Sequence, residues 1–133
     1  MNDKLNEYIL KTGEEKDLRM CILVNQDIKI NKGKLAGQVG HAVSSMFYHQ
    51  FKVTGKLLPI MEEYMENHQK KIILYCSQDK LEELEKEGYI TIRDKGCTDL
   101  EPNTLTCVNL GLIDYSREIP EDYKFIKDLK LVR

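Results

Sequence analysis

The sequence has no long apolar run and no apolar signal segment at its start. Its longest uninterrupted apolar stretches are about five residues, whereas a membrane-spanning helix needs about 20. The first four residues, Met1-Asn2-Asp3-Lys4, are mostly polar, which argues against a secretory signal. We therefore expect a cytoplasmic protein that does not interact with membranes.

The cysteines form no recognisable framework. Cys21, Cys76, Cys97 and Cys107 show no CxxC spacing, and most of them lie in segments with strand-like composition. Reduced thiols explain this distribution better than disulfide bonds or a zinc site. On ligand spacing we expect no structural metal.

The chain also lacks an overall positive charge. Its net charge of −2 argues against a generally basic nucleic-acid-binding surface but does not exclude a local basic patch. Lys29, Lys32 and Lys34 lie close together with only Asp27 nearby. The glutamate-rich segments further along the chain are typical of solvated helix faces.

What the sequence contains is an alternation of strand-like and helix-like segments. Residues 1–17 are polar and predict an N-terminal extension, and the length of the rest fits a single domain over 18–133. The alternation predicts an α/β fold, with three α/β/α layers and a small mixed sheet of about four strands. Strands are predicted over 18–27, 71–76, 89–93 and 104–110; helices are predicted from 33 to 54, within 57–67, and from Ser77 to Gly88; the apolar tail residues (Phe125, Ile126, Leu129, Leu131 and Val132) are expected to dock on an edge.

The helix after the first strand has a polar stripe of specific composition. At about 100° per residue, Lys34, Gln38, His41 and Ser45 fall within a band roughly 60° wide. A cation, an amide, an imidazole and a hydroxyl thus share one side of a strand–loop–helix unit, where α/β sheets commonly place their chemistry. The other side carries the residues expected to face the core: Leu35, Val39, Ala42, Val43 and Met46.

Two nucleotide-binding motifs fail in this segment. A phosphate-binding loop ending at Gly33-Lys34 would need Gly at position 28 and Ser or Thr at 35, where Ile28 and Leu35 stand. The spacing of Gly33, Gly37 and Gly40 does not match GxGxxG either. Gly37 and Gly40 inside a helix have two explanations: close packing on the sheet, or close approach of a substrate backbone.

A second polar segment, Asp94-Lys95-Gly96-Cys97-Thr98, follows the third predicted strand and precedes Pro102 and Thr104-Leu105-Thr106. Alone it is typical of a structural turn. Together with Asn31-Lys32-Gly33-Lys34-Leu35-Ala36-Gly37-Gln38-Val39-Gly40-His41-Ala42 it resembles the second type of peptidyl-tRNA hydrolase, which is found in archaea and eukaryotes. The similarity covers roughly Met20 to Val132.

The resemblance implies a reaction and its partner. Members of this family hydrolyse the ester that joins a peptide to the terminal ribose of tRNA, and they recycle tRNA from aborted translation without a metal or organic cofactor. A homodimer is an option that the family leaves open. The family's active-site positions correspond to Lys34, Gln38, Asp94, Thr98 and Thr106, and His41 belongs to the same stripe.

Ester hydrolysis needs an activated water, a partner for the developing oxyanion and a grip on the tRNA end. We expect Asp94 to accept a proton from the water or to orient it, with Thr98 fixing its direction. Lys34 would stabilise negative charge or hold the terminal phosphate, and Gln38 would bond the ribose or the peptide carbonyl. The lysines expected to bind tRNA phosphates are Lys29, Lys32 and Lys95.

The chain departs from the family's usual D-A-G-R-T turn at two positions. Lys95 and Cys97 stand where the family has Ala and Arg, which removes a bidentate phosphate fork. Two other functions therefore stay open: a catalytically weak relative that acts as an RNA- or protein-binding adaptor, and a hydrolase of another small ester or amide.

Overall fold

The computed structural model describes residues 16–96 and 100–133 of the chain. Its elements follow one another along the chain in this order: β1 (Leu18–Asn25), α1 (Lys32–Thr54), α2 (Pro59–Glu66), β2 (Lys70–Cys76), α3 (Gln78–Lys86), β3 (Ile90–Arg93), β4 (Leu105–Asp114) and a 3-10 helix (Glu121–Asp128). Most of the predicted N-terminal extension, residues 1–15, lies outside the described residues.

The four strands form one mixed sheet in the order β2-β1-β4-β3. β1 is parallel to β2 and antiparallel to β4, and β4 is antiparallel to β3. Every residue of β4 is buried because helices cover the sheet, with α1 packing on β4 and β3, and α3 packing on β4 and β1. The predicted three-layer α/β/α architecture with a small mixed sheet is confirmed.

The helix boundaries follow from capping residues that the sequence already displays. Asn31 begins α1 by accepting a hydrogen bond from the Lys34 backbone N–H, and Ser77 begins α3 by accepting one from Lys80. Gly55 ends α1 with a φ of 73°, a left-handed conformation that glycine adopts without steric cost. The long helix was predicted to within two residues for this reason.

The strand ends were predicted less accurately. β1 stops at Asn25 rather than at 27, because the Asn25 side chain accepts a bond from the Asp27 N–H and donates one to Leu105 O. β4 continues to Asp114 rather than ending at 110, because its last residues pair with the beginning of β1. The 3-10 helix was not predicted.

The C-terminal residues cover the outer edge of β2, as expected for the apolar tail. Tyr75 N donates to Lys130 O at 2.8 Å, and Val132 N donates to Ile73 O at 3.0 Å. Within the tail, Ile126 is buried, whereas Leu131 is half exposed.

Three of the four cysteines lie within the described residues, and all three are free and buried. Burial raises the pKa of Cys21 to about 12 and that of Cys107 to about 11, so both stay protonated near neutrality. Cys97 lies outside the described residues. Among the described helices, none combines the length and the apolarity that crossing a bilayer would take.

A buried asparagine fastens α1 to the sheet. Asn109 on β4 donates from Nδ2 to Ala42 O of α1 at 3.0 Å and accepts from Gly111 N at 2.8 Å. It lies where the pairing of β4 with β1 shifts register, and its side chain satisfies a backbone N–H at the irregularity.

We expect Asn109→Ala to lower the free energy of unfolding by about 1–3 kcal/mol, because the Gly111 N–H would be left buried without its acceptor. Asn67→Ala is the matched control: its side chain bonds Glu63 O on the exposed end of α2, and we expect a loss below about 0.5 kcal/mol. Urea denaturation of the three proteins measures both values. Equal losses in the two variants would contradict the role of Asn109.

Candidate active site

The polar stripe of α1 faces a cavity of about 490 Å³ between this helix and β3. β1 and β3 run in the same direction in the sheet, so their last residues lie at the same end of the strands. The start of α1 and the turn from Asp94, which follow these two strands, therefore lie close together. All four residues of the stripe line the cavity together with the end of β3 and the turn after it: Lys34, Gln38, His41, Ser45, Thr91, Ile92, Arg93, Asp94 and Lys95.

An ion pair joins the two walls of this cavity. Lys34 Nζ lies 2.5 Å from Asp94 Oδ1, and the Asp94 side chain is almost fully buried whereas that of Lys34 is partly exposed. A carboxylate at such a depth is stable only with charged or hydrogen-bonded partners. The pair therefore fixes the position of both side chains although 60 residues separate them.

The turn that carries Asp94 is held by its own backbone. Asp94 N donates to Thr104 O at 2.8 Å, and Asp94 Oδ2 accepts from Gly96 N at 3.1 Å. Gly96 has a φ of 81°, and a Cβ there would lie 2.8 Å from Pro102 Cγ, so glycine is required. The turn thus aims both carboxylate oxygens of Asp94.

Gln38 and Thr106 form a buried polar contact next to the ion pair. The Thr106 hydroxyl lies 2.7 Å from Gln38 Oε1 and 3.1 Å from Ile92 O, and both side chains are at least 95% buried. Thr106 itself does not line the cavity. It lies behind Gln38 and fixes the orientation of the carboxamide that does.

Burial of Gln38 corrects the predicted core face of α1. Ala42 and Met46 are buried as expected, but the buried row continues through Gln38 and Gln50 at intervals of four residues. The other residues predicted to face the core are half-buried and pack against its margin: Leu35, Val39 and Val43. The hydroxyl of Thr106 makes this possible, because it donates a hydrogen bond to the side-chain oxygen of Gln38 inside the protein.

The predicted rim of three lysines is only partly formed. Lys95 is exposed and lines the cavity. Lys32 instead lines a neighbouring apolar groove with Leu35, Val39 and Tyr75, and Lys29 is exposed on the loop before α1 and lines neither space. Both lysines belong to a segment that turns toward the β2 side of α1, which helical periodicity alone does not reveal.

Thr98 and Cys97 lie outside the described residues, so the predicted role of Thr98 stays a prediction. Close packing of Gly37 and Gly40 on the sheet was wrong: both are exposed, and an added Cβ would meet nothing within 4 Å. Close approach of a substrate backbone to these glycines stays a prediction.

Arg93 was missed by the sequence analysis. Its guanidinium donates to Glu85 of α3 from Nε at 3.0 Å and from Nη2 at 2.8 Å, and its Nη1 donates to Asn103 O at 2.8 Å. The hydrogen bonds from Arg93 lower the pKa of Glu85 below its usual value. Arg93 therefore ties the turn after β3 to α3; its position directly before Asp94 was the one available signal.

A candidate metal centre has no support in the described residues, since no group of three or more His, Cys, Asp or Glu side chains lies close enough together to hold an ion. The fold and the cavity define an α/β protein whose candidate hydrolytic site is built on a lysine–aspartate pair beside a buried glutamine. The chain belongs to the peptidyl-tRNA hydrolase PTH2 family, whose model matches residues 18–132. This confirms the resemblance seen in the two motifs.

Individual relatives agree with the family match. A peptidyl-tRNA hydrolase of Methanopyrus kandleri is 38% identical over 100 residues, which cover 70% of this chain and 83% of that protein. One of Staphylothermus marinus is 37% identical over 123 residues, covering 87% and 96%. One of Methanococcus maripaludis is 34% identical over 119 residues, covering 84% and 97%.

The buried ion pair should be measurable as an energetic coupling. In a double-mutant cycle with Lys34→Met and Asp94→Asn we expect a coupling free energy of about 1–3 kcal/mol, because the two side chains are in direct contact and that of Asp94 is buried. The cycle Lys80→Met with Glu83→Gln tests a pair that is 3.5 Å apart and more exposed to solvent, and it should give about 0.5 kcal/mol or less. Denaturant unfolding supplies both cycles, and a coupling no larger than that of the exposed pair would contradict the geometry.

Proposed function

We propose that this chain hydrolyses the ester between the peptide and the tRNA of peptidyl-tRNA, and so recycles tRNA from aborted translation. The observation that carries the proposal is the convergence of Lys34, Asp94 and Gln38 on one cavity in a chain of this family. A cytoplasmic location agrees with such a role and stays a prediction.

Asp94 is the proposed partner of the attacking water. Its carboxylate lines the cavity, where it accepts hydrogen bonds from Lys34 and from Gly96 N. A water on the cavity side would be oriented by this carboxylate, which would accept its proton as the carbonyl is attacked. Thr98 is the proposed second contact of this water.

Lys34 is the proposed partner of the oxyanion. Its ammonium group has three N–H donors, one of which points to Asp94. The others can bind the carbonyl oxygen as negative charge develops there, which is the moment at which a fixed charge contributes most. Gln38, held by Thr106, would bond the ribose or the peptide carbonyl, and we propose that His41 contacts the substrate further along the same wall.

The adaptor alternative makes a different demand on the cavity. An adaptor has no need of converging polar groups, and its site residues could be splayed or blocked. Lys34, Gln38 and Asp94 converge, and nothing in the described residues favours the adaptor. The same polar groups would suit a small ester or amide, so the substrate must be tested directly.

Removing either member of the ion pair should abolish most of the activity. We expect Asp94→Asn and Lys34→Ala each to lower kcat for a model peptidyl-tRNA by about 100-fold or more, as is typical when a general base or an oxyanion partner is lost. Release of free tRNA from N-acetyl-dipeptidyl-tRNA measures the rate, and circular dichroism checks the fold of each variant.

Lys86→Ala is the control, because this lysine is exposed at the end of α3, away from the cavity. It should hydrolyse the same substrate at the wild-type rate. Activity of Asp94→Asn or Lys34→Ala within about threefold of wild type would overturn the assignment, since such a change lies below what these mechanisms contribute.

Lys95 should bind the tRNA rather than take part in the chemistry. We expect Lys95→Ala to raise KM, to leave kcat near its wild-type value and to reduce the slope of log(kcat/KM) against log[salt] by about one, because one phosphate contact is lost. Lys86→Ala should leave this slope unchanged. Equal slopes for wild type and Lys95→Ala would exclude Lys95 from the tRNA contact; the same measurement applies to Lys29 and Lys32.

Homodimer formation stays a prediction. The second half of α1 exposes Tyr48, Phe51 and Val53, which gives a second copy an apolar surface to contact. Sedimentation equilibrium of the wild type and of Phe51→Glu would show whether the chain dimerises and whether this surface contributes.

A further inference from the structure

The outer edge of strand β3 forms part of the cavity wall. β3 and β2 are the two outermost strands of the sheet, and β3 pairs with β4 on its inner side. The C-terminal residues cover the outer edge of β2, but no strand pairs with the outer edge of β3 among residues 16–96 and 100–133. Such an edge offers a row of backbone N–H and C=O groups to an additional strand.

Two residues direct their backbone groups toward this edge. Asp94 faces β4, since its N donates to Thr104 O and its O accepts from Asn103 N. Because the direction alternates along an antiparallel strand, Thr91 and Arg93 turn their N–H and C=O groups outward.

One further contact agrees with this alternation. Ile92 O points to the β4 side, where it lies 3.1 Å from the Thr106 hydroxyl. The register shift near Ile92 is an extra residue in β4, so it leaves the alternation of β3 intact.

The cavity extends from the ion pair along this edge. Lys34 and Asp94 mark one end of the stretch, and the lining continues to Thr91 on β3 and to Ser45 on α1. From Asp94 back to Thr91 the strand advances by three residues, which correspond to about 10 Å. About three residues of extended chain therefore fit beside it, and the facing helix is long enough to flank them, since it rises about 16 Å from Lys34 to Ser45.

We propose that the peptide portion of the substrate binds here as an added strand, hydrogen-bonded to the backbone of Thr91 and Arg93. The inference rests on the proposed function, which places the ester beside Lys34 and Asp94. From that position the residues that precede the ester run back toward Thr91, so the added strand is parallel to β3.

This mode of binding suits an enzyme that must accept peptides of many sequences. A strand added to a sheet edge is held by main-chain hydrogen bonds, which every peptide can make. Affinity then comes mainly from main-chain hydrogen bonds and increases with the length of the peptide.

The test uses N-acetyl-tetrapeptidyl-tRNAs that carry a single N-methyl group at the second, third or fourth residue from the ester. In a parallel strand, alternate residues direct their N–H groups to the neighbouring strand. N-methylation at a residue whose N–H points to β3 removes a hydrogen bond and should lower kcat/KM about tenfold. N-methylation at a residue whose N–H points away from β3 should change kcat/KM less than about twofold. Equal effects at all three positions, or none, would overturn the inference.

A variant of the edge provides a second measurement. Thr91→Pro removes an N–H that takes no part in pairing with β4, a change that edge strands tolerate. Thr91→Val is its matched partner, because it also lacks the hydroxyl but keeps the N–H. We expect kcat/KM for the tetrapeptidyl substrate to be about three- to tenfold lower in Thr91→Pro than in Thr91→Val.

The substrate with one N-acetylated residue separates the two proposals. This substrate is too short to reach Thr91, so Thr91→Pro and Thr91→Val should hydrolyse it with nearly equal kcat/KM. The wild type could hydrolyse this substrate although kcat/KM does not alternate with the position of the N-methyl group. That result would overturn the added strand and leave the proposed function intact. Absence of hydrolysis of every substrate would overturn the proposed function itself. Should Thr91→Pro not fold, the N-methyl series decides alone.

Discussion

The ion pair between Lys34 and Asp94 is the contact on which the site depends. A carboxylate as buried as that of Asp94 must have charged or hydrogen-bonded partners, because its desolvation is otherwise too costly. Lys34 supplies the charge from the first turn of α1, and Gly96 N supplies a hydrogen bond from the turn itself. One contact thereby fixes the start of the helix, the end of β3 and the width of the cavity.

The ion pair also depends on the residue at which α1 begins. Asn31 caps the helix at its first turn and bonds the backbone of Lys34, so the cap and the ion pair constrain one residue. Behind it, Asn25 joins the end of β1 to β4 through Leu105 O and to α3 through the Gln78 side chain. Hydrogen bonds between these elements therefore hold the base of the site together before any substrate contact is made.

Elements with local signals were predictable, and contacts that depend on the path of a loop were not. Asn31, Gly55 and Ser77 gave the helix ends, and the 3.6-residue period gave the stripe that lines the cavity. Burial of Gln38 could not be predicted, because it depends on the Thr106 hydroxyl 68 residues later. The separation of Lys32 from Lys34 likewise depends on how α1 lies on the sheet, and neither charge nor spacing in the sequence encodes that.

The departures from the family's turn can be understood from the charges that the site retains. An arginine recognises phosphate through a planar fork, whereas a lysine acts as a point charge on a flexible stem and imposes less geometry. Arg93 cannot replace the missing fork, since Glu85 and Asn103 O already occupy its guanidinium. Lys95 is exposed at the cavity, where solvent screening weakens its charge, so in the proposed function it would bind tRNA without fixing its orientation. In the same proposal the ester would be oriented by two groups in the described part of the site, the buried carboxamide of Gln38 and the backbone-held carboxylate of Asp94.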